Sequence, residues 1–451
     1  MGICSDNRKR KYLLKNNNNE DNNILENKSI NNKIFETKIT SFEDSKYIIK
    51  SEKNNYSELL NSNESIKEDI EKLIKINEQK ENVKEGQNNV IIGEIQITKS
   101  LIEKILNSFE NTYREKYSCV WNDNSSIKNE EQIKECEIYI NEKKINFNYY
   151  YTFPSKGSYT IKYIFKNPLT STNFMFYDCQ SLISLDLSQF NTQNVVNMKN
   201  MFTNCKSLKS INLSNFNTYN VKDMSNMLDG CKSLISLDLS EFNTSNVIDM
   251  SNMFNNCKSL LTLNVSNCNT KNVINMNSIF SNCSSLTSLI LSNFNTEKVT
   301  HMGFMFFDCS SLISLDLTSF ITKSAIDMTH MFDGCKSLLS LNLSSFFTEY
   351  VINMSHMFYD CYSLTELNLS NFNTQKVHTM EYIFFGCRSL IFLDLSNFNF
   401  NKVKNIGYML DECNSLMYLK LPDFNFQNIN IKDNIFHGCN SMILKIIDNF
   451  D

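Results

Sequence analysis

Cysteine is the residue with the most obvious chemical potential in this 451-residue chain. It recurs at Cys179, Cys205, Cys231, Cys257, Cys283, Cys309, Cys335, Cys361, Cys387, Cys413 and Cys439, always 26 residues apart. Metal binding, disulfides and nucleophilic catalysis are the three chemistries to weigh. Zinc sites draw ligands from closely spaced pairs, and no C-x-x-C occurs. Equivalents in stacked coils sit about 4.8 Å apart, wider than the usual Cβ separation of a disulfide. Cysteine is also a common small buried residue. The eleven are therefore expected to form a structural ladder in a core. Cys268 is out of register at the Phe190 position and is expected to be core too.

The other reactive candidates are sparse. Of the five histidines, His301, His330, His356, His378 and His437, only His330 and His356 share a position in the 26-residue period. No carboxylate column joins them to complete a metal site. No G-x-S-x-G, Walker A, G-x-G-x-x-G or H-E-x-x-H occurs. The expectation is a protein that is not an enzyme, with no cofactor, metal or small-molecule substrate. The N-terminus offers different chemistry. Gly2 follows Met1, Cys4 lies two residues on, and Arg8, Lys9, Arg10 and Lys11 follow. This pattern fits myristoylation at Gly2, palmitoylation at Cys4 and a basic patch that supports both. Asp6 stands where Ser or Thr is usual.

The elements that position these residues fall into three zones. Residues 1–86 are rich in Asn, Lys, Glu and Ser and are expected to be a disordered tail. Residues 87–170 are expected to form a small α+β cap. There VIIGEIQI, CEIYI, INFNYYYTF and YTIKYIF read as strands, and KSLIEKILNSFENTY reads as a helix from Leu101, Ile102, Ile105, Leu106 and Phe109. Residues 171–451 repeat with a 26-residue period and no insertion, which is the mark of a solenoid. Leu182, Leu185 and Leu187 give L-x-x-L-x-L, the strand-bearing core of a leucine-rich repeat. Val195, Met198, Met201 and Phe202 are spaced for a short helical or 3-10 segment on the opposite face. The expected fold is a leucine-rich-repeat solenoid of about eleven coils with a parallel sheet on one face. Lys432 and Lys445 interrupt the pattern, as in a terminal capping repeat.

The unit FMFYDCQSLISLDLSQFNTQNVVNMKNMF and its copies resemble the BspA-like leucine-rich-repeat family, a 26-residue bacterial surface-protein repeat. The resemblance covers about residues 171–451. It implies binding of ligands or partners without catalysis. Many relatives carry a signal peptide or membrane segment. This chain has no apolar h-region and no run of eighteen apolar residues, so a cytoplasmic location is expected.

Net charge is −5 with a pI near 5.7, which gives no reason to expect nucleic acid as a partner. The abundant Asn is read as genome bias more than chemistry. The strand face carries uniform columns, Ser184/Ser210/Ser236 and Asp186/Asn212/Asp238 among them, until Glu366, Phe392 and Tyr418 replace Ser. A second departure is sharper. Positions that hold Asn200, Asn226 and Asn252 in early coils become Phe304, His330, His356, Tyr382 and Tyr408. Phe307, Tyr359, Tyr362 and Phe385 lie nearby. Stacking would make an aromatic stripe, and Phe304, Phe307, Tyr359, Tyr362, Tyr382, Phe385 and Tyr408 are the candidate partner-binding residues. The expected function is a protein or peptide interaction scaffold held at the cytoplasmic face of a membrane by N-terminal acylation. The alternative is a BspA-type surface adhesin exported by an unconventional route.

Overall fold

A computed structural model describes residues 89–117, 128–422 and 428–439. The tail, with Gly2, Cys4 and Arg8 to Lys11, lies outside them.

The cap begins with β1 (Asn89–Ile97), β2 (Ile102–Lys104), α1 (Phe109–Tyr117) and α2 (Glu130–Lys134). It continues with β3 (Glu137–Ile140), β4 (Lys143–Ile145), β5 (Tyr150–Thr152) and β6 (Gly157–Phe165). The helix expected from Leu101 starts later. Ile102–Lys104 instead pairs antiparallel with β5, and Leu101 and Ile102 are exposed. Ser108 sets the start: its Oγ accepts the Asn111 N–H at 3.1 Å, capping α1. The apolar spacing spans a strand and a cap, not one helix.

The first repeat strands are β7 (Leu182–Gln189) and β8 (Ser210–Asn212), and β1 inserts between β6 and β7. One sheet of order β4-β3-β6-β1-β7-β8 therefore runs from the cap into the repeats. This pairs the strand edge that the first coil would otherwise leave open. Gly93 permits the approach. A Cβ there would lie 2.9 Å from Leu185 Cδ2 and 3.1 Å from the Ser184 carbonyl.

The repeats form the solenoid. Leu182, Leu185, Leu187, Phe190, Val195, Met198, Met201, Phe202 and Cys205 are all buried, and their equivalents follow coil after coil. Regular strand pairing is confined to short parallel segments, such as β9 (Ser236–Asp238) with β10 (Thr262–Asn264). Toward the C-terminus β11 (Ser340–Leu341), β12 (Glu366–Leu367), β13 (Phe392–Asp394) and β14 (Tyr418–Lys420) make a four-stranded sheet. On another face, isolated parallel bridges link Ser171 to Asn197, Asn197 to Asp223 and onward to Ile431 in 26-residue steps.

The short helical or 3-10 segments expected opposite the sheet are instead chained β-turns. Met201, Thr203 and Cys205 donate N–H bonds to the carbonyls three residues back. The alternating Met198, Asn200, Phe202 and Asn204 donate to Asp223, Ser225, Met227 and Asp229 of the next coil. Two left-handed residues per coil, Asn200 (φ 55°) and Asn204 (φ 62°), stop a helix from forming. They divide the donors between turn and neighbour, so each of these groups is satisfied. The Asn excess therefore has a structural use. Asn, Asp and Gly fill many of the left-handed positions, and Asn carries less strain there than most side chains.

Three side-chain columns join the coils. Phe176 stacks on Phe202 at 5.7 Å, and a second run extends from Phe254 to Phe384. Buried Thr192, Thr218 and Thr244 donate to Asn217, Asn243 and Asn269 carbonyls at 2.9–3.1 Å. Each ladder cysteine from Cys205 on donates its S–H to a carbonyl of the preceding coil, as Cys205 to Phe176 at 3.1 Å and Cys309 to Phe280 at 3.1 Å. The column is a hydrogen-bonded structural ladder of free thiols. Cys268 is likewise buried at 0% exposure.

Candidate partner-binding surface

Five of the ring-bearing residues singled out from the sequence occupy the first left-handed position of five consecutive coils. Phe304, His330, His356, Tyr382 and Tyr408 have φ of 56°, 55°, 59°, 56° and 57°. A left-handed backbone costs a side chain of this size on the order of 1 kcal/mol, which Asn200, Asn226 and Asn252 largely avoid; the first coil has Phe174 there, packed on Phe109 of the cap at 5.8 Å. Five consecutive coils accept that cost.

Their rings compensate by stacking. Centroids lie 4.4 Å apart for Phe304–His330, 4.2 Å for His330–His356, 4.8 Å for His356–Tyr382 and 4.6 Å for Tyr382–Tyr408. The steps match the coil rise, and the planes stay within 22° of parallel. The faces cover one another and the edges point outward, so each ring is half-buried.

A second row lies three residues on. Phe307 packs on Phe304 at 5.7 Å, Tyr359 stacks on Phe385 at 4.7 Å, and Phe385 meets Tyr382 edge-on at 5.6 Å. The structure thus joins Phe304, Phe307, Tyr359, Tyr382, Phe385 and Tyr408 in one two-row surface. Tyr362 sits at its margin between the Lys336 ammonium, 5.7 Å from the ring, and the Arg388 guanidinium at 4.8 Å. Arg388 also pairs with Glu412 at 2.6 Å.

Two acids interrupt the second row. Asp333 is 2.6 Å from His330 Nδ1, and Asp411 is 2.8 Å from His437 Nδ1. Burial raises the Asp333 carboxyl above its ordinary value, against the pull of His330. His356 is the exception among the ring nitrogens. Its Nδ1 is buried without a hydrogen-bond partner, and burial with His330 alongside lowers its pKa to about 4. It is neutral at pH 7. Sequence reasoning missed the left-handed geometry, although a signal existed: Asn, Asp or Gly recurs four residues after the stripe position, as Asn204, Gly334 and Gly386.

The ladder thiols offer no chemistry to solvent. Burial pushes Cys309 and Cys387 up to about 12, which leaves almost no thiolate at neutral pH. Among the described residues no group of three or more His, Cys, Asp or Glu is placed to hold a metal ion. No helix among them is long and apolar enough to cross a membrane. On the strand face, Phe392 and Tyr418 are exposed beside a depression of about 660 Å³ lined by Ser340, Asn342, Glu366 and Asp394.

Three overlapping segments, residues 170–285, 250–366 and 337–450, match the family described as "Mycoplasma protein of unknown function, DUF285". No curated protein matches. One solved structure, described as "Functional domain of InlJ from Listeria monocytogenes includes a cysteine ladder", is similar at 14% identity with a TM-score of 0.11. The match covers 53% of this chain and 55% of that one.

Proposed function

The chain belongs to the DUF285 family, whose matches span its whole repeat region, and we propose that it is a non-catalytic scaffold that binds a protein partner through its aromatic ladder. A repeat solenoid fits a protein-interaction role. The observation that carries the assignment is the left-handed backbone beneath five consecutive aromatic rings. Asn in the same column would stack the coils with less strain. Rings with their faces mutually covered and their edges outward suit a protein contact better than a sugar, which stacks on an open face. Buried, protonated thiols support the non-catalytic reading.

The test replaces Phe304, Tyr382 and Tyr408 together with Asn, the residue this column holds in early coils. The variant exchanges stacking for relief of strain, so it is expected to keep a cooperative melting transition close to the parent's and to lose the partners that the parent enriches in quantitative pull-downs. An unchanged partner set would overturn the proposal.

Two further parts belong to the same reading. Gly2, Cys4 and Arg8 to Lys11 form an acylation signal that would hold the scaffold at a cytoplasmic membrane face. Membrane fractionation of Gly2→Ala tests this, since loss of capture is expected. The repeat unit also supports kinship with BspA-like proteins.

A further inference from the structure

The corner of the coil that follows the buried Phe column departs from its own pattern in two adjacent coils. Among the described residues nine coils include this position, and seven of them hold Asn there. Asn191, Asn217, Asn243, Asn269, Asn295, Asn373 and Asn399 each accept, through Oδ1, the N–H two residues on, at 2.9–3.2 Å. That Asx turn folds the corner. In the remaining two coils the position is Ile321, 37% exposed, and Phe347, 42% exposed. Three residues on, Asn220, Asn246 and Asn272 donate to carbonyls of the preceding coil. Tyr350 replaces that Asn and is 50% exposed. Both coils lose the Asx turn; the Ile321 coil keeps the second corner bond through Ser324 Oγ–H to the Glu297 carbonyl at 2.6 Å, and the Phe347 coil places an aromatic ring there instead.

Ile321 and Phe347 hold the same position in adjacent coils, with Tyr350 three residues on, and together make an exposed apolar patch. Ile326 and Ile352, at 40% and 45% exposure, belong to a separate column of exposed isoleucines that Ile248 and Ile274 also hold in earlier coils. The patch lies on an outward corner. Lysines surround it: Lys323 Nζ lies 5.2 Å from the Phe347 ring centre and Lys376 Nζ 3.9 Å from that of Tyr350. Lys298, Lys402 and Lys404 occupy neighbouring coils at the same corner, against Glu297 and Glu349.

We propose that this corner is a docking surface for an anionic lipid bilayer, with Ile321, Phe347 and Tyr350 entering the headgroup boundary and the lysines meeting the lipid charge. A projecting apolar patch with long cationic side chains at its rim suits a soft planar interface, where the chains extend toward the headgroups. The net positive rim complements the negative surface. This site uses different columns from the aromatic ladder and is independent of acylation.

The test uses the full chain carrying Gly2→Ala, so that no acyl chain contributes, sedimented with phosphatidylcholine vesicles with or without phosphatidylserine. The parent is expected to bind only the phosphatidylserine vesicles. Ile321→Asn with Phe347→Asn restores the Asx turns and should leave melting unchanged or raised, while weakening vesicle binding about tenfold, equivalent to about 1.4 kcal/mol. Lys323→Glu with Lys376→Glu should weaken it as well. The Phe304, Tyr382 and Tyr408 variant should bind vesicles as the parent does, which separates this site from the protein-binding one. Equal binding by the Asn pair would overturn the proposal and place any lipid affinity elsewhere. A parent that binds neither vesicle would also overturn it and leave an acidic protein surface as the occupant.

Discussion

His356 shows what a single position in the ladder holds in balance. Its ring is stacked between His330 and Tyr382, and its buried Nδ1 has no hydrogen-bond partner. The folded chain therefore keeps it neutral down to about pH 4, whereas an unfolded histidine protonates near 6.5. Between these values the unfolded state binds more protons, so stability falls as pH drops from about 6.5 toward 4. The loss builds as pH falls through this window. Asp333, raised by burial, has the opposite sign: its folded form takes up a proton at higher pH than the unfolded form does. Melting temperatures of wild type and His356→Phe across this range check the assignment. The variant should lose less stability on acidification, and parallel curves would remove His356 as the cause.

Elements in this fold are defined by what they stack against. β1 has the burial alternation of a strand, yet its role depends on Gly93, which lets it lie against Leu185 of the first coil. Gly93→Val should cost about 1–3 kcal/mol through overpacking against Leu185 and the Ser184 carbonyl. Urea unfolding would show a lowered midpoint, and increased hydrogen exchange should concentrate in β1 and β7. The turn segments opposite the sheet behave in the same way. Alone they are short runs of β-turns; half of their N–H groups find acceptors only in the next coil.

Across the whole repeat array, stability is a sum over neighbours, so damage spreads along the stack. Leu315 is 6% exposed in the middle of the leucine column. Leu315→Asp buries an unpaired charge and should cost several kcal/mol, opening adjacent coils together. Limited proteolysis should then cut on both sides of residue 315. A native-like melting curve would show that the register is wrong. The aromatic ladder and the lysine-rimmed corner occupy separate columns of this array, so one stack can present two contacts without the two competing for the same residues.

The 26-residue period determined the solenoid, because a fixed spacing of Leu, Met, Phe and Cys leaves stacking as the way to bury each coil. The inward columns and the unreactive setting of the cysteines were legible for the same reason. The aromatic candidates were visible as departures from Asn in one column. Their geometry was not, since apolar spacing of three and four fits a helix as well as chained turns. Tertiary structure decided that point: N–H groups that a helix would have used locally bond to the next coil, and the left-handed residues between them turn the chain back. The same intercoil bonds set Phe304 to Tyr408 face to face and left Ile321 and Phe347 exposed at a corner where the other described coils place a hydrogen-bonding Asn.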